Sequence, residues 1–490
     1  MSRSEYIDVE TPFGGLRGAR SDGVAAFRRV PYAEAPVGPR RFEMPGAAPR
    51  WQGVRDATAS GPVPPQLPSR LDSVLGTYEA EQSEDCLHLD IWTGFNKGDR
   101  APVLVFIHGG AFMTGGGSLA CYDGGVLARE NGLVVVNITY RLGILGFWPR
   151  PDFGGLNLGL HDQIAALRWI KEAISSFGGD QDRITIIGQS AGAFSIAALL
   201  GIDTARGLFK RAVMMSAPVG IALRTVDQAR PVAGMLLDVL GLGPEEADRL
   251  RTMPVDQIFE RMRILQTRPP AVPGSITPPF MPVLDDALIP RDPSESFDMG
   301  NAGWCDIVIG TTREEYAAFS VSNPALDKLT DEEVESIFRS EVGDDAASAL
   351  SRIRAERVPA TPRALLGDLH TGTTFVKKSL AIADTQYNLG RNVFTYFFDW
   401  QSPNPDMGAC HCIDLPFLFG NIDVWKAAPM LEGANWNEVR ELSQRYRGAI
   451  AAFAENGNPN GRGLPRWPAY QIGRAALHFD RRITVSGCIV

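Results

Sequence analysis

The stretch Ile184–Gly201, ITIIGQSAGAFSIAALLG, sets a Gly-x-Ser-x-Gly pattern between an apolar, β-branched run and an alanine-rich one. When a strand precedes such a turn and a helix follows it, the serine is held in a strained conformation above a sheet, where its hydroxyl can attack a carbonyl carbon. Gly188 and Gly192 suit that turn because strand and helix approach too closely to leave room for a Cβ. Serine is also a preferred helix N-cap, and an elbow serine begins a helix in either case. A cap alone does not require glycine on both sides, so Ser190 is the candidate nucleophile. Unaided, a serine hydroxyl attacks poorly; a base and an orienting acid must come from elsewhere in the chain.

A second stretch, VLVFIHGGAFMTGGGS, ends a strong strand pattern in His108, Gly109, Gly110, Ala111 and Phe112. Small residues at that point can turn backbone N–H groups toward a developing negative charge, the role of an oxyanion hole. Together with Ser190 the loop points to acyl transfer. No Gly-Lys-Ser or Gly-Lys-Thr follows the TGGGS cluster, so a phosphate-cradling reading of these glycines fails.

Both turns need a sheet to hold them. Short runs rich in Val, Ile and Phe (PVLVFIHG, LVVVNITY, RITIIG, RAVMMS, CDIVIGT and NVFTYFFDW) alternate with helical patterns such as DQIAALRWIKEAISSF. That alternation predicts an α/β fold with a large, mostly parallel sheet flanked by helices. A length of 490 residues would suggest roughly three domains, yet no linker is visible. One domain over 1–490 is expected, with helical insertions at roughly 222–282 and 324–390 that could cover a pocket.

A formal net charge of −9, with no block of Lys or Arg, argues against a nucleic-acid partner. No apolar run approaches the length of a membrane span, and the first residues show no apolar secretion segment. The six cysteines include no C-x-x-C pair, which leaves reduced thiols and no zinc framework. A cytoplasmic protein is expected. The sequence does not set its oligomeric state.

At this point the chain resembles the type-B carboxylesterase/lipase (cholinesterase-like) family of α/β-hydrolases, in its bacterial carboxylesterase form. The resemblance runs through FRRVPYAEAPVGPRRFEMP, SEDCLHLDIW, FIHGGAF, NITYRLGILGFW, LGLHDQIAALRWIKEAISSFGGD, GQSAG, GTTREE, CHCIDLPFLFG and GNPNGRGLPRWPAY, in that order. It implies a serine hydrolase with nucleophile, glutamate and histidine in that chain order. Carried onto this sequence, the triad is Ser190, Glu315 and His411, and the oxyanion donors are the N–H groups of Gly110, Ala111 and Ala191. The register in GTTREE selects Glu315 over Glu314, although the glycine expected next is Tyr316. Of the six histidines, His88, His108 and His161 precede the nucleophile, His370 sits in a helical run and His478 near the terminal strand; His411 follows a core strand. Cys412 occupies the small position after it. Cys410, His411 and Cys412 as three consecutive ligands would make poor tetrahedral geometry, so no metal is expected.

Two departures narrow the expectation. Where secreted relatives close a disulfide to the cysteine of the EDCL block, this chain has Pro64, which leaves Cys86 free. LGTYEAEQ lacks the tryptophan with which cholinesterases stack a quaternary ammonium, disfavouring choline esters. The expected activity is hydrolysis of small-molecule carboxylic esters through an acyl-enzyme, without cofactor. Aryl carbamate or amide hydrolysis by the same triad is the alternative, and a non-catalytic cholinesterase-like binding protein a more remote one. Phe112, Phe194 and Trp400 are candidate pocket walls.

Overall fold

The computed structural model describes residues 5–266, 275–461, 463–470 and 474–487; Cys488 lies outside them. Its main sheet has 13 strands. In chain order these are β1 (Glu5–Thr11), β2 (Gly14–Ser21), β3 (Val24–Pro31), β4 (Val54–Asp56), β5 (His88–Thr93), β6 (Ala101–Ile107), β7 (Val134–Ile138), β8 (Gly179–Gln189), β9 (Arg211–Met215), β12 (Asp306–Thr312), β13 (Val393–Phe398), β14 (Ala475–Phe479) and β15 (Thr484–Gly487). The short β10 (Arg224–Thr225) and β11 (Val283–Leu284) pair separately. The spatial order is β1-β2-β3-β5-β7-β6-β8-β9-β12-β13-β14-β15, with β4 against β2. From β7 to β14 all neighbours are parallel, and antiparallel strands flank that block.

The six strands expected from apolar runs are β6, β7, β8, β9, β12 and β13, all in this sheet. They were legible because a parallel strand buried on both faces reads as a continuous apolar run. In β6 every residue is buried. Val103, Val105 and Ile107 enter one core and Leu104 and Phe106 the other, as the two-residue period of a strand requires. The helices Leu158–Ala173 and Ala191–Leu200 cover the first face, and Trp436–Asn456 the second. The antiparallel flank β1 to β5 was not among the expected strands. Its outermost strand, β1, alternates exposed with half-buried residues and offers no apolar run.

Helices occupy both segments expected to be insertions. Val226–Leu240 and Val255–Gln266 lie in the first, the former opened by a capping box of Thr225 and Gln228. Asp331–Val342, Ala346–Glu356, Pro362–His370 and Lys377–Asn388 lie in the second, where Val334, Phe338, Leu350, Leu365 and Leu369 gather into a core of their own.

The chain passes from β6 to β7 on one side and then returns to β8 on the other side of β6. Strand order therefore reverses at β6, and ligands of open α/β sheets bind beyond the carboxyl ends of strands at such a reversal. In register, Ile107 stands beside Gly188, Gln189 beside Met215, and Thr312 beside Phe398. The loops after β6, β8, β12 and β13 thus emerge at one edge of the sheet.

Candidate active site

Ser190 stands between β8 and the helix Ala191–Leu200 with φ 58° and ψ −124°. A non-glycine residue rarely takes this conformation, and the surroundings hold it there. Its N–H donates to the Met215 carbonyl at 2.9 Å, while its carbonyl accepts from the Phe194 N–H at 2.9 Å. Both neighbouring glycines are sterically required. A Cβ on Gly192 would lie 2.0 Å from the Ile107 carbonyl oxygen, and one on Gly188 would lie 2.6 Å from the Gly192 carbonyl carbon.

Glu315 and His411 come from the loops after β12 and β13, and both are fully buried. His411 Nδ1 and Glu315 Oε2 are 2.5 Å apart. The other carboxylate oxygen accepts the Thr312 N–H at 2.7 Å, so the acid is oriented from the end of its own strand. With the Nδ1 proton donated to Glu315, Nε2 is an acceptor, and it receives the Gln189 side-chain N–H at 3.2 Å. No hydrogen bond joins Ser190 Oγ to Nε2 among the described residues; the amide of the residue before the serine takes that position instead. Hydrogen bonds between catalytic groups are often long or unformed in unliganded sites.

Glu314 points elsewhere. Its Oε2 accepts the Ala409 N–H at 2.8 Å and its Oε1 faces Arg357 at 3.6 Å, so it ties the two loops together rather than meeting the imidazole. Tyr316, in the position expected to be glycine, has φ −71°, which any residue adopts. Its ring packs against His370 at 4.6 Å. Cys412 has φ 73°, the conformation for which a small residue is favoured after the histidine. Burial raises the thiols of Cys410 and Cys412, so both stay protonated. Among the described residues no three His, Cys, Asp or Glu side chains are grouped to hold a metal ion.

The loop after β6 turns through Gly110, Ala111 and Phe112 at φ 109°, 56° and 60°. His108 lies beneath it, Nδ1 hydrogen-bonded to the Gly109 carbonyl at 2.8 Å and ring stacked on Tyr140 at 4.4 Å. Burial lowers His108 to about 4, so it is a neutral prop rather than a base. The N–H groups of Gly110, Ala111 and Ala191 have no protein acceptor among the described residues, leaving three donors free beside Ser190.

Ser190, Ala111, Ala191, Phe112 and Phe194 line one pocket. The segments 222–282 and 324–390 add Ile276, Pro278, Met281 and Phe375 to its wall. Trp400 does not belong to it. It is buried in the opposite core, 5.1 Å from Phe417, and donates its indole N–H to Glu438 at 2.6 Å. Position just past a strand does not reveal which face of the sheet a side chain joins.

Four contributors were not among the expected site residues: Gln189 on the imidazole, Phe319 and Phe375 with their rings each 5.2 Å from it, and Arg70 at the pocket mouth. Only Gln189 had a local signal, its place inside the Gly-x-Ser-x-Gly turn. None of the remaining histidines lines this pocket. His478 sits between Asp399 (2.6 Å) and Ser486 (2.7 Å) at the edge of the sheet, but Ser486 is an ordinary strand residue without elbow geometry.

This arrangement agrees with what the chain is similar to. A family model described as "Carboxylesterase family" matches residues 5–484. The para-nitrobenzyl esterase of Bacillus subtilis is 36% identical over 489 residues, covering 97% of this chain and 95% of that protein. The phenmedipham hydrolase of Pseudarthrobacter oxydans is 37% identical, covering 96% and 94%. The crystal structure of a carboxylesterase from Geobacillus stearothermophilus superposes with a TM-score of 0.86 at 37% identity, covering 98% of this chain and 97% of that one. The chain thus belongs to the carboxylesterase family and is a carboxylic ester hydrolase of the α/β-hydrolase fold.

Proposed function

We propose that Ser190, His411 and Glu315 act as a Ser-His-Glu triad within one domain spanning 1–490, on small-molecule esters, in the cytoplasm. The observation that carries this reading is the buried 2.5 Å contact of His411 with Glu315 beside a serine in elbow conformation. As an ester enters, Ser190 Oγ displaces the Gln189 amide at Nε2. His411 takes the serine proton as Oγ bonds to the carbonyl carbon, and Glu315 stabilises the imidazolium. The oxyanion rests on the N–H groups of Gly110, Ala111 and Ala191. His411 returns the proton to the departing alcohol, and water repeats the sequence on the acyl-enzyme. None of these steps calls on a cofactor.

The five described cysteines are free and buried, including Cys86, which suits a reducing compartment. No helix of the described residues is long and apolar enough to cross a membrane.

Ser190→Ala is expected to abolish both ester turnover and labelling by an organophosphonate; labelling that persists would place the nucleophile elsewhere. A second reading, hydrolysis of aryl carbamates or amides, uses the same triad. It draws on the relative whose name records hydrolysis of phenmedipham. Turnover of para-nitrophenyl acyl esters set beside an aryl carbamate separates the two.

A further inference from the structure

Apart from Ser190 itself, the pocket is lined by apolar side chains with one exception among the described residues, Arg70. Arg70 follows Ser69, whose Oγ accepts the Leu71 N–H at 3.1 Å and so fixes the turn that carries the arginine. Its Nη2 donates to the Ile276 carbonyl at 2.8 Å, and its guanidinium lies 5.1 Å from the centre of the Phe319 ring. The same Phe319 ring is 5.2 Å from the His411 imidazole. One aromatic side chain therefore separates this cation from the reacting histidine.

A guanidinium has five N–H donors in a planar fork that fits a carboxylate. Here one backbone carbonyl and one ring face occupy part of the fork, and no carboxylate forms an ion pair with it among the described residues. The ionisable neighbour acting on it is the Tyr316 phenol. Partial desolvation lowers Arg70 to about 10, so it remains a cation at neutral pH. Arg357 pairs with Asp368, Arg363 with Asp327 and Arg251 with Glu43, whereas Arg224, like Arg70, donates to backbone carbonyls and to no acid among the described residues, its acceptors being Pro278 and Pro279; of these only Arg70 lines the pocket. An unmatched cation at the mouth of an apolar ester pocket leaves its charge for whatever enters.

We propose that Arg70 is a specificity-determining residue that binds a carboxylate on the substrate, so that the favoured substrates are esters carrying a second, anionic acid group a few carbon atoms from the scissile carbonyl. This rests on the esterase reading above. With a formal net charge of −9 the protein as a whole repels anions. The selection must therefore be local, and it should weaken as salt screens the pair.

The test compares kcat/KM for matched anionic and neutral esters. In one arm, mono-para-nitrophenyl adipate is set against para-nitrophenyl hexanoate, placing the charge on the acyl side. In the other, meta-carboxyphenyl butanoate is set against phenyl butanoate, placing it on the alcohol side. The anionic-to-neutral ratio is taken within each enzyme, so a general change of activity cancels. In Arg70→Gln the ratio is expected to fall about tenfold in at least one arm, the size of a charge-assisted hydrogen bond at a partly open site. Arg70→Lys should retain part of it, and added salt should lower the ratio in the wild type but not in Arg70→Gln. The arm that responds tells which side of the ester meets the arginine. A ratio that Arg70→Gln leaves unchanged in both arms overturns the proposal while leaving the esterase reading intact. A wild type that cleaves none of the four esters overturns the esterase reading first, and this proposal with it.

Discussion

Replacing Gly192 by alanine asks whether the close approach of helix and strand at the elbow governs catalysis. The new Cβ would meet the Ile107 carbonyl oxygen at 2.0 Å and the His108 carbonyl oxygen at 2.8 Å, against an ordinary contact of 3.4 Å or more. These are backbone atoms, so no side chain can swing aside, and something must move by about an ångström or more. β6 is laddered to β7 and β8 on both sides, with Ile107 paired to Ile138 and Gly188. The shift therefore falls on the loop after Ile107 or on the start of the helix Ala191–Leu200. Gly110 and Ala111 lie on the former and Ala191 on the latter, so the three candidate oxyanion donors are pushed apart. A misplacement of about 1 Å costs roughly 100-fold in rate, and overpacking about 1–3 kcal/mol of stability. The assay is kcat on para-nitrophenyl butanoate, normalised to organophosphonate-titratable sites, alongside urea unfolding. Gly234→Ala is the control: it lies in the helix Val226–Leu240, and a Cβ there meets nothing within 4 Å. It should be neutral or gain up to about 1 kcal/mol from helix propensity. A Gly192→Ala enzyme with kcat within about threefold of wild type would refute the reasoning.

Glu315→Gln should lower kcat by about 10³-fold or more, because an amide cannot hold or stabilise the imidazolium. Glu314→Gln, which disturbs the Arg357 contact and not His411, should stay within a few-fold; the reverse pattern would exchange the two glutamates. Asp414 is buried, and burial together with the nearby Glu315 charge pushes its carboxyl up to about 8. The folded protein thus holds a proton that the unfolded chain has lost above about pH 4, so stability falls as pH rises toward 8, by up to about 1.4 kcal/mol per unit. Asp414→Asn removes that slope, and urea midpoints should show the variant gaining on wild type between about pH 5 and pH 8; an equal difference at both values would refute it.

Much of the site was legible because its chemistry is written locally. The Gly-x-Ser-x-Gly turn, its apolar strand and its alanine-rich helix are contiguous, and steric exclusion of Cβ at Gly188 is a property of that one turn, while at Gly192 it comes from the end of β6 packed against it. The same holds for the small residues at 109–111. The choice of Glu315 over its neighbour came from a family register, and the geometry has a reason of its own: Glu315 can fold back to accept the Thr312 N–H and still reach His411, while Glu314 faces Arg357.

Periodicity along a strand alternates faces but does not say which core each face meets, and Trp400 was misjudged for that reason. Gln189 at Nε2, the rings of Phe319 and Phe375 about the imidazole, and the unmatched Arg70 are single residues whose meaning lies in what stands opposite them. Their partners lie tens to hundreds of residues away, brought close only when parallel strands pair and the helical segments fold over the sheet. The conformational demands of a turn act between chain neighbours and so leave a pattern in the chain; charge pairing and ring packing between distant residues act through space and leave none.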